Sequence, residues 1–245
     1  MDKFSLYDLL GLLLPGTFFL FLSSLITQKS EFIYIYNIDI PVLFGNFNWI
    51  IILCFALMLG AVLYSANFYF IDKKWYNQIF GMYKHVAYLF FEIRYTDKTM
   101  FDVFNKKSTE WYNKQIFITQ NDYNLLSMDK QNEIKKYHSE FYDRMYYELE
   151  YLNKNDHSKT FHSFYFFFRQ IALACIILLL SILIIITLQF IFRLRPTTQH
   201  LIPIAIFLIG ILIISIFLAR WYRKRKVYKM YWTYFTHLIL TKNGK

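Results

Sequence analysis

The chain has 245 residues, of which 56% are hydrophobic, 22% aromatic and only 18% charged. Because soluble domains carry about a quarter charged residues, this composition excludes an ordinary soluble globular protein and predicts an integral membrane protein. The formal net charge of +10 is concentrated at the C-terminal end, where residues 220–245 hold eight Lys or Arg and no acidic residue.

The first apolar segment is preceded by Ser5 and Asp8, whose spacing is typical of a helix N-terminus. We expect a helix from there to about Ile26. Pro15 and Gly16 stand in its middle, and proline removes a backbone hydrogen bond and clashes with the preceding turn. The pair is therefore a candidate hinge, at which we expect a kink or a break.

Polar side chains follow one side of this first helix. They either pack against a neighbouring helix or line a pore in an oligomer, and the sequence leaves both alternatives open. The residues of this polar stripe are Thr17, Ser23, Ser24, Thr27 and Gln28.

The second membrane span is predicted over residues 49–71, after an external loop over residues 27–48. Within that loop, Phe32–Ile40 is expected to be a short strand or to lie flat at the interface. Small residues recur in the span at intervals of four, a spacing that lets helix backbones approach closely in lipid. These predicted packing residues are Ala56, Gly60, Ala61 and Ser65.

Residues 72–168 form the large water-facing segment, which we expect to be a helical domain. Polar clusters such as the NKKST sequence at residues 105–109 are expected to break residues 94–126 into turns and short helices. Ser127 is predicted to begin a long helix, with Asp129 in its first turn. Its predicted apolar face consists of Ile134, Tyr137, Phe141, Met145, Glu148 and Leu152.

The second hairpin is predicted over residues 169–219. Its spans are Ile171–Phe192 and Leu201–Ala219, each about as long as a bilayer core requires. None of the four predicted spans contains Asp, Glu, Lys, Arg or His, which argues against an ion-coupled transporter.

The tail over residues 220–245 combines basic and aromatic residues. We expect it to lie on the membrane surface or to fold back on the internal segment. Its basic cluster is interpreted first as an orientation signal that contacts anionic lipid, and second as a contact for an acidic partner. The cluster comprises Arg220, Arg223, Lys224, Arg225, Lys226 and Lys229.

Loop charge predicts the orientation. One side of the membrane collects the basic residues of the tail and of residues 72–168, whereas the other collects only Lys29, Arg193 and Arg195. By the positive-inside rule both termini and the segment 72–168 are therefore cytoplasmic.

The chain contains no nucleophile elbow, Walker loop, HExxH or dinucleotide fingerprint. His157 and His162 lack a third ligand at a spacing suited to metal. We therefore predict a protein that is not an enzyme and has no catalytic residue, no cofactor and no metal. Direct binding of nucleic acid is not expected.

The predicted fold is all-α: four transmembrane helices in two hairpins, residues 5–71 and 169–219, with a helical cytoplasmic domain between them. The segments LYDLLGLLLPGTFFL, FYFFFRQIAL and RWYRKRKVYKMYWTYF resemble those of small bacterial membrane proteins found with antiviral defence systems, such as the membrane accessory proteins of type VI CRISPR loci. The resemblance implies a non-enzymatic inner-membrane effector or accessory protein, one that oligomerises and permeabilises or depolarises the membrane. The alternative is a non-conducting scaffold that binds a soluble partner.

Overall fold

A computed structural model describes residues 9–29, 49–71, 73, 79–80, 90, 98–154, 156–192 and 198–243 of the chain. These residues are almost all helical and include no β-strand, so the all-α prediction is confirmed for them. After a π-helical turn at Leu9–Leu13, the helices are α1 (Leu14–Lys29), α2 (Trp49–Ile71), α3 (Lys98–Tyr112), α4 (Gln120–Asn124), α5 (Met128–Tyr151), α6 (Asp156–Ile191) and α7 (Thr198–Asn243).

Four helical segments are long and apolar enough to cross a membrane, namely α1 with its π-helical turn, α2, α6 and α7. Helix α2 has the predicted bounds of residues 49–71. Helices α6 and α7 have 36 and 46 residues and extend well beyond the predicted spans. A hydropathy pattern marks where lipid is favourable, whereas a helix continues for as long as its backbone bonds and packing persist.

Several predictions concern residues outside the described ranges. They are the Ser5 and Asp8 start of the first helix, the strand or interfacial segment at Phe32–Ile40 within the external loop, and most of residues 72–97.

The chain divides into two compact units. Unit 1 comprises Met1–Phe80 and Ser163–Trp221, and unit 2 comprises Gly81–His162 and Tyr222–Lys245. The division falls inside α6 and inside α7, so each of these helices contributes residues to both units.

Helix α6 is central to the core of unit 1. Its Cys175 and Leu178 belong to one buried cluster with Leu22 of α1 and Leu208 of α7. Its Ala174 belongs to a second buried cluster with residues of α2. Large apolar side chains on the outer faces of the four helices are exposed, as expected of surfaces solvated by lipid.

The first helix is not broken at Pro15 and Gly16, which lie buried in the first turn of α1. The irregularity comes one turn earlier, in the π-helical turn Leu9–Leu13. Because Pro15 has no N–H to donate to the carbonyl four residues before it, the regular bonding pattern is interrupted there.

Unit 2 is built around aromatic side chains. Phe104 of α3, Phe117 of the following loop, Phe141 of α5 and Tyr231 of α7 all belong to its core cluster. The rings of Phe104 and Phe117 lie 5.2 Å apart, and those of Phe117 and Phe141 4.8 Å apart. The tail is thus helical and forms part of this core, so it adopts the second of the two arrangements weighed for it.

Two expectations for the internal segment need correction. The NKKST sequence does not break the segment but lies within α3, where its polar side chains bind the loop that follows. Asn105 accepts a hydrogen bond from the N–H of Phe117 at 2.9 Å and donates one to its carbonyl at 2.8 Å. Ser108 donates to the carbonyl of Lys114 at 2.8 Å.

Helix α5 begins after Ser127 as predicted, although the Ser127 side chain makes no capping bond. The predicted apolar face of α5 is only partly the buried one. The fully buried residues are His138, Phe141, Met145 and Leu149, of which only Phe141 and Met145 were predicted.

Two neighbouring tyrosines of α7 provide a stability test of unit 2. The Tyr234 hydroxyl donates to a carboxylate oxygen of Glu148 at 2.8 Å, whereas the buried Tyr231 hydroxyl has no partner among the described residues. We expect Tyr234→Phe to lower the free energy of unfolding by about 1.5–3 kcal/mol, because it removes a bond to a charged group. Tyr231→Phe is expected to leave it unchanged or to raise it by about 1 kcal/mol.

Thermal unfolding of the detergent-solubilised variants measures this difference. Each variant removes one oxygen atom from the same helix, so each controls for the other. Equal destabilisation by both substitutions would contradict the hydrogen-bonding arrangement in unit 2.

Candidate functional site

The predicted hinge and two of the predicted packing residues meet in one place. A Cβ added to Gly16 would lie 1.7 Å from the carbonyl oxygen of Ala56 and 2.9 Å from the amide nitrogen of Gly60. A Cβ added to Gly60 would lie 1.8 Å from the carbonyl oxygen of Leu12. The backbones of α1 and α2 are therefore in direct contact, which only glycine allows at these two positions.

The order of these contacts has a structural meaning. Leu12 contacts Gly60, and Gly16 contacts Ala56. Residues later in the first helix therefore contact residues earlier in α2. This is the order of two helices that run in opposite directions. The contact includes the end of the π-helical turn, so the irregular part of the first helix is the part held against α2.

The other two predicted packing residues lie elsewhere. Ala61 and Ser65 are exposed, whereas Ala56 is fully buried. Along with Ala56 and Gly60, the buried side of α2 carries Leu63 and Asn67, and the amide of Asn67 donates to the carbonyl of Leu63 at 3.2 Å. The small-residue spacing was therefore informative for Ala56 and Gly60 but did not identify which side of the helix packs.

Residues of the polar stripe bond to their own helix. Thr17 donates to the carbonyl of Leu14 at 2.9 Å, Ser23 donates to that of Leu20 at 2.9 Å, and Thr27 donates to that of Ser23. These three side chains and that of Ser24 are half-buried. The side chain of Gln28 lies outside the described residues.

Sequence reasoning missed a buried cation in unit 1. Arg169 of α6 is fully buried, and its guanidinium lies 5.5 Å from the ring centroid of Phe80, 5.2 Å from that of Tyr165 and 5.4 Å from that of Phe166. It also donates to the Tyr165 hydroxyl at 3.2 Å. A guanidinium is the cation best suited to such an aromatic enclosure, because it is planar and weakly hydrated.

The aromatic enclosure extends to α2. The rings of Phe68 and Phe166 are stacked with their centroids 6.2 Å apart, and Tyr64 lies 5.9 Å from the same ring of Phe166. Arg169 is therefore joined through Phe166 to the C-terminal half of α2. The sequence feature that could have indicated this site is a single arginine directly after the aromatic run that leads into the third span.

Gln170, next to Arg169, is also fully buried. Neither its amide oxygen nor its amide nitrogen has a hydrogen-bond partner among the described residues. A buried amide without partners lowers stability, so packing alone does not explain why a glutamine occupies this position.

The basic cluster of the tail does not form one surface. Arg220 belongs to unit 1, where its Nε donates to the carbonyl of Ile79 at 2.7 Å. The other members belong to unit 2, where Lys224 and Arg225 are exposed while Arg223, Lys226 and Lys229 are half-buried. The basic residues thus point to several sides of α7, as consecutive residues of a helix must.

Lys226 is a half-buried member of the basic cluster and contacts other side chains of unit 2. Its Nζ is 3.0 Å from Nδ1 of His162 and 6.0 Å from the ring centroid of Tyr146. Burial raises the pKa of nearby Asp143, and the charge of Lys226 opposes this rise. His162, one of the two histidines weighed as metal ligands, is thus engaged with a lysine.

Comparisons of the chain with protein-family models, with curated proteins and with solved structures give no match.

Proposed function

We propose that this protein is a non-enzymatic effector or accessory protein of a bacterial antiviral defence system, held in the inner membrane by two helical hairpins. In this proposal both termini and unit 2 lie in the cytoplasm. The protein assembles with further copies of itself and permeabilises or depolarises the membrane when a signal or protein partner reaches unit 2. The resemblance of its opening, third-span entry and tail to defence-associated membrane proteins supports this context.

One structural observation supports the signalling step above all others. Helix α7 runs unbroken from Thr198 to Asn243, and it contributes residues 198–221 to unit 1 and residues 222–243 to unit 2. A partner or ligand that displaces the C-terminal half of α7 from the aromatic core of unit 2 therefore acts on the same helix that crosses the membrane. No separate linker has to carry the signal.

The contact between α1 and α2 supports a membrane response. It depends on the absence of two side chains, and it adjoins a π-helical turn, an element that often occurs at functional positions. In this proposal α1 shifts against α2 at this contact when the signal reaches unit 2.

A non-conducting scaffold is the second candidate, and the polar stripe favours it. Because Thr17, Ser23 and Thr27 donate to carbonyls of their own helix, their hydroxyl hydrogens are satisfied without a water-filled pore. Such a scaffold would bind its soluble partner through unit 2 and leave the bilayer intact.

The two candidates predict different membrane potentials. Bacteria that express the protein together with its neighbouring genes are challenged with phage in the presence of a potential-sensitive dye. The effector proposal predicts depolarisation that requires the protein. A potential that stays at the level of cells lacking the protein, together with recovery of a soluble partner on purification, would favour the scaffold.

A further inference from the structure

A groove in unit 2 separates the end of α5 from one side of α7. Its volume is about 640 Å³, and its lining includes Lys154 from the turn that follows α5 and Lys229, Trp232 and His237 from α7. This volume falls within the range of small-molecule sites, roughly 300–1,000 Å³.

The helix end that forms one wall is well defined. Asn153 has a left-handed backbone, with φ of 52°. Its N–H donates to the carbonyl of Glu150 at 3.0 Å, and the N–H of Lys154 donates to the carbonyl of Leu149 at 2.9 Å. These two bonds form a Schellman motif, in which asparagine is a favoured alternative to glycine. The motif fixes the backbone of Lys154 at the rim of the groove.

The charge of the lining has one sign. Among the described residues, this lining contains two lysines and a histidine but no carboxylate. Lys154 Nζ lies 3.1 Å from Nδ1 of His237, and an ammonium donor at that distance leaves the imidazole proton on Nε2. Neither Lys154 nor Lys229 makes an ion pair within the described part of the chain.

Two other grooves of unit 2 differ from this one, because each contains a lysine that is paired with a carboxylate. One contains Lys107 together with Glu110, whose charged atoms are 3.4 Å apart. The other contains Lys114, which forms an ion pair with Glu133 in the same lining. In both of these grooves a carboxylate forms an ion pair with a lysine, whereas the two lysines of the groove beside α7 form none with any carboxylate that the structure describes.

We propose that this groove binds a phosphate-bearing anion. The ammonium groups of Lys154 and Lys229 supply the charge, and the Asn153 amide and the Thr233 hydroxyl, which also line the groove, supply neutral donors. Charge-assisted bonds from lysine to phosphate oxygens are about twice as strong as neutral hydrogen bonds. The phosphate belongs either to a soluble molecule such as a nucleotide or to the headgroup of an anionic lipid.

The test uses the full-length protein in nanodiscs of phosphatidylcholine. Calorimetric titration with inorganic pyrophosphate and with ATP probes the soluble source. Replacement of part of the lipid by phosphatidylglycerol, with thermal unfolding as the readout, probes the lipid source. The groove variant is Lys154→Gln/Lys229→Gln. Its control, Lys130→Gln/Lys136→Gln, removes the same charge from exposed positions of α5.

Binding of pyrophosphate or ATP that weakens at least tenfold in the groove variant, but less than twofold in the control, supports the proposal with a soluble ligand. A thermal stabilisation by phosphatidylglycerol that is lost only in the groove variant supports it with a lipid. No response to any probe, or equal losses in the two double variants, overturns it. The readouts require no membrane permeabilisation, so this proposal and the proposed function fail independently of each other.

Discussion

Gly16→Ala and Gly60→Ala are each expected to lower the free energy of unfolding by about 3 kcal/mol or more, the upper end of the usual cost of overpacking. In each case the new methyl group would lie less than 2 Å from a backbone carbonyl oxygen. No rotation relieves the clash, because a Cβ position is fixed by the backbone. The helices α1 and α2 have to separate, which exposes the contact between them.

Thermal unfolding of the detergent-solubilised protein measures this effect. For a chain of this size the loss corresponds to a fall in the unfolding midpoint of roughly 6–12 °C. Gly210→Ala in α7 is the matched control, since its Cβ would meet nothing within 4 Å. We expect it to be neutral or stabilising by up to about 1 kcal/mol. Equal midpoints for the three variants would show that α1 and α2 do not touch at these glycines.

Arg169→Ala is the second large effect we expect, with a loss of about 3–5 kcal/mol, the range seen when a large buried side chain is truncated to alanine. The substitution empties a fully buried site and removes the cation from three aromatic rings. Arg169→Lys is expected to recover only part of the loss, because an ammonium lacks the planar shape that the rings enclose.

The adjacent Gln170 provides the control for Arg169. It is equally buried and lies on the same helix, yet its amide has no partner among the described residues. Gln170→Leu, which conserves volume approximately, should therefore leave the unfolding midpoint unchanged or raise it. If Gln170→Leu proves as destabilising as Arg169→Ala, burial alone explains both results and the aromatic enclosure contributes nothing specific.

The membrane-spanning part of the fold was largely predictable from sequence. About twenty apolar residues without charge specify a helix in lipid, and the prediction for residues 49–71 coincides with α2. The lengths of α6 and α7 were not predictable in the same way. Both helices include polar and aromatic sequence outside the apolar stretch. There α7 packs into the core of unit 2, and the ring of Phe161 of α6 contacts that of Tyr222.

The face of α5 shows why side-chain pattern alone was insufficient in unit 2. Aromatic residues occur on several sides of this helix, so periodicity did not distinguish Tyr137 from His138. The buried His138 makes a hydrogen bond between its Nε2 and the carbonyl of Ile116 at 3.1 Å, a long-range contact that periodicity does not indicate. Glu148, predicted as part of the apolar face, instead accepts the hydrogen bond of Tyr234 from a helix 86 residues later in the chain.

The candidate sites also differ in whether local sequence could indicate them. Of the glycines in the α1–α2 contact, Gly60 was predicted from small residues at intervals of four, which are a local signal, whereas Gly16 was predicted as a hinge beside Pro15. The enclosure of Arg169 joins Phe80 to the third span, and the groove joins Lys154 to Lys229. Both depend on residues far apart in sequence, so only the folded chain places them together.

The most direct test of this account is the topology of the chain in the bacterial inner membrane. Alkaline phosphatase, active only outside, and green fluorescent protein, fluorescent only inside, are fused after residues 38, 120 and 245. Four membrane crossings with unit 2 in the cytoplasm predict phosphatase activity at residue 38 alone and fluorescence at residues 120 and 245. Phosphatase activity at residue 120 or at the C-terminus would contradict the account.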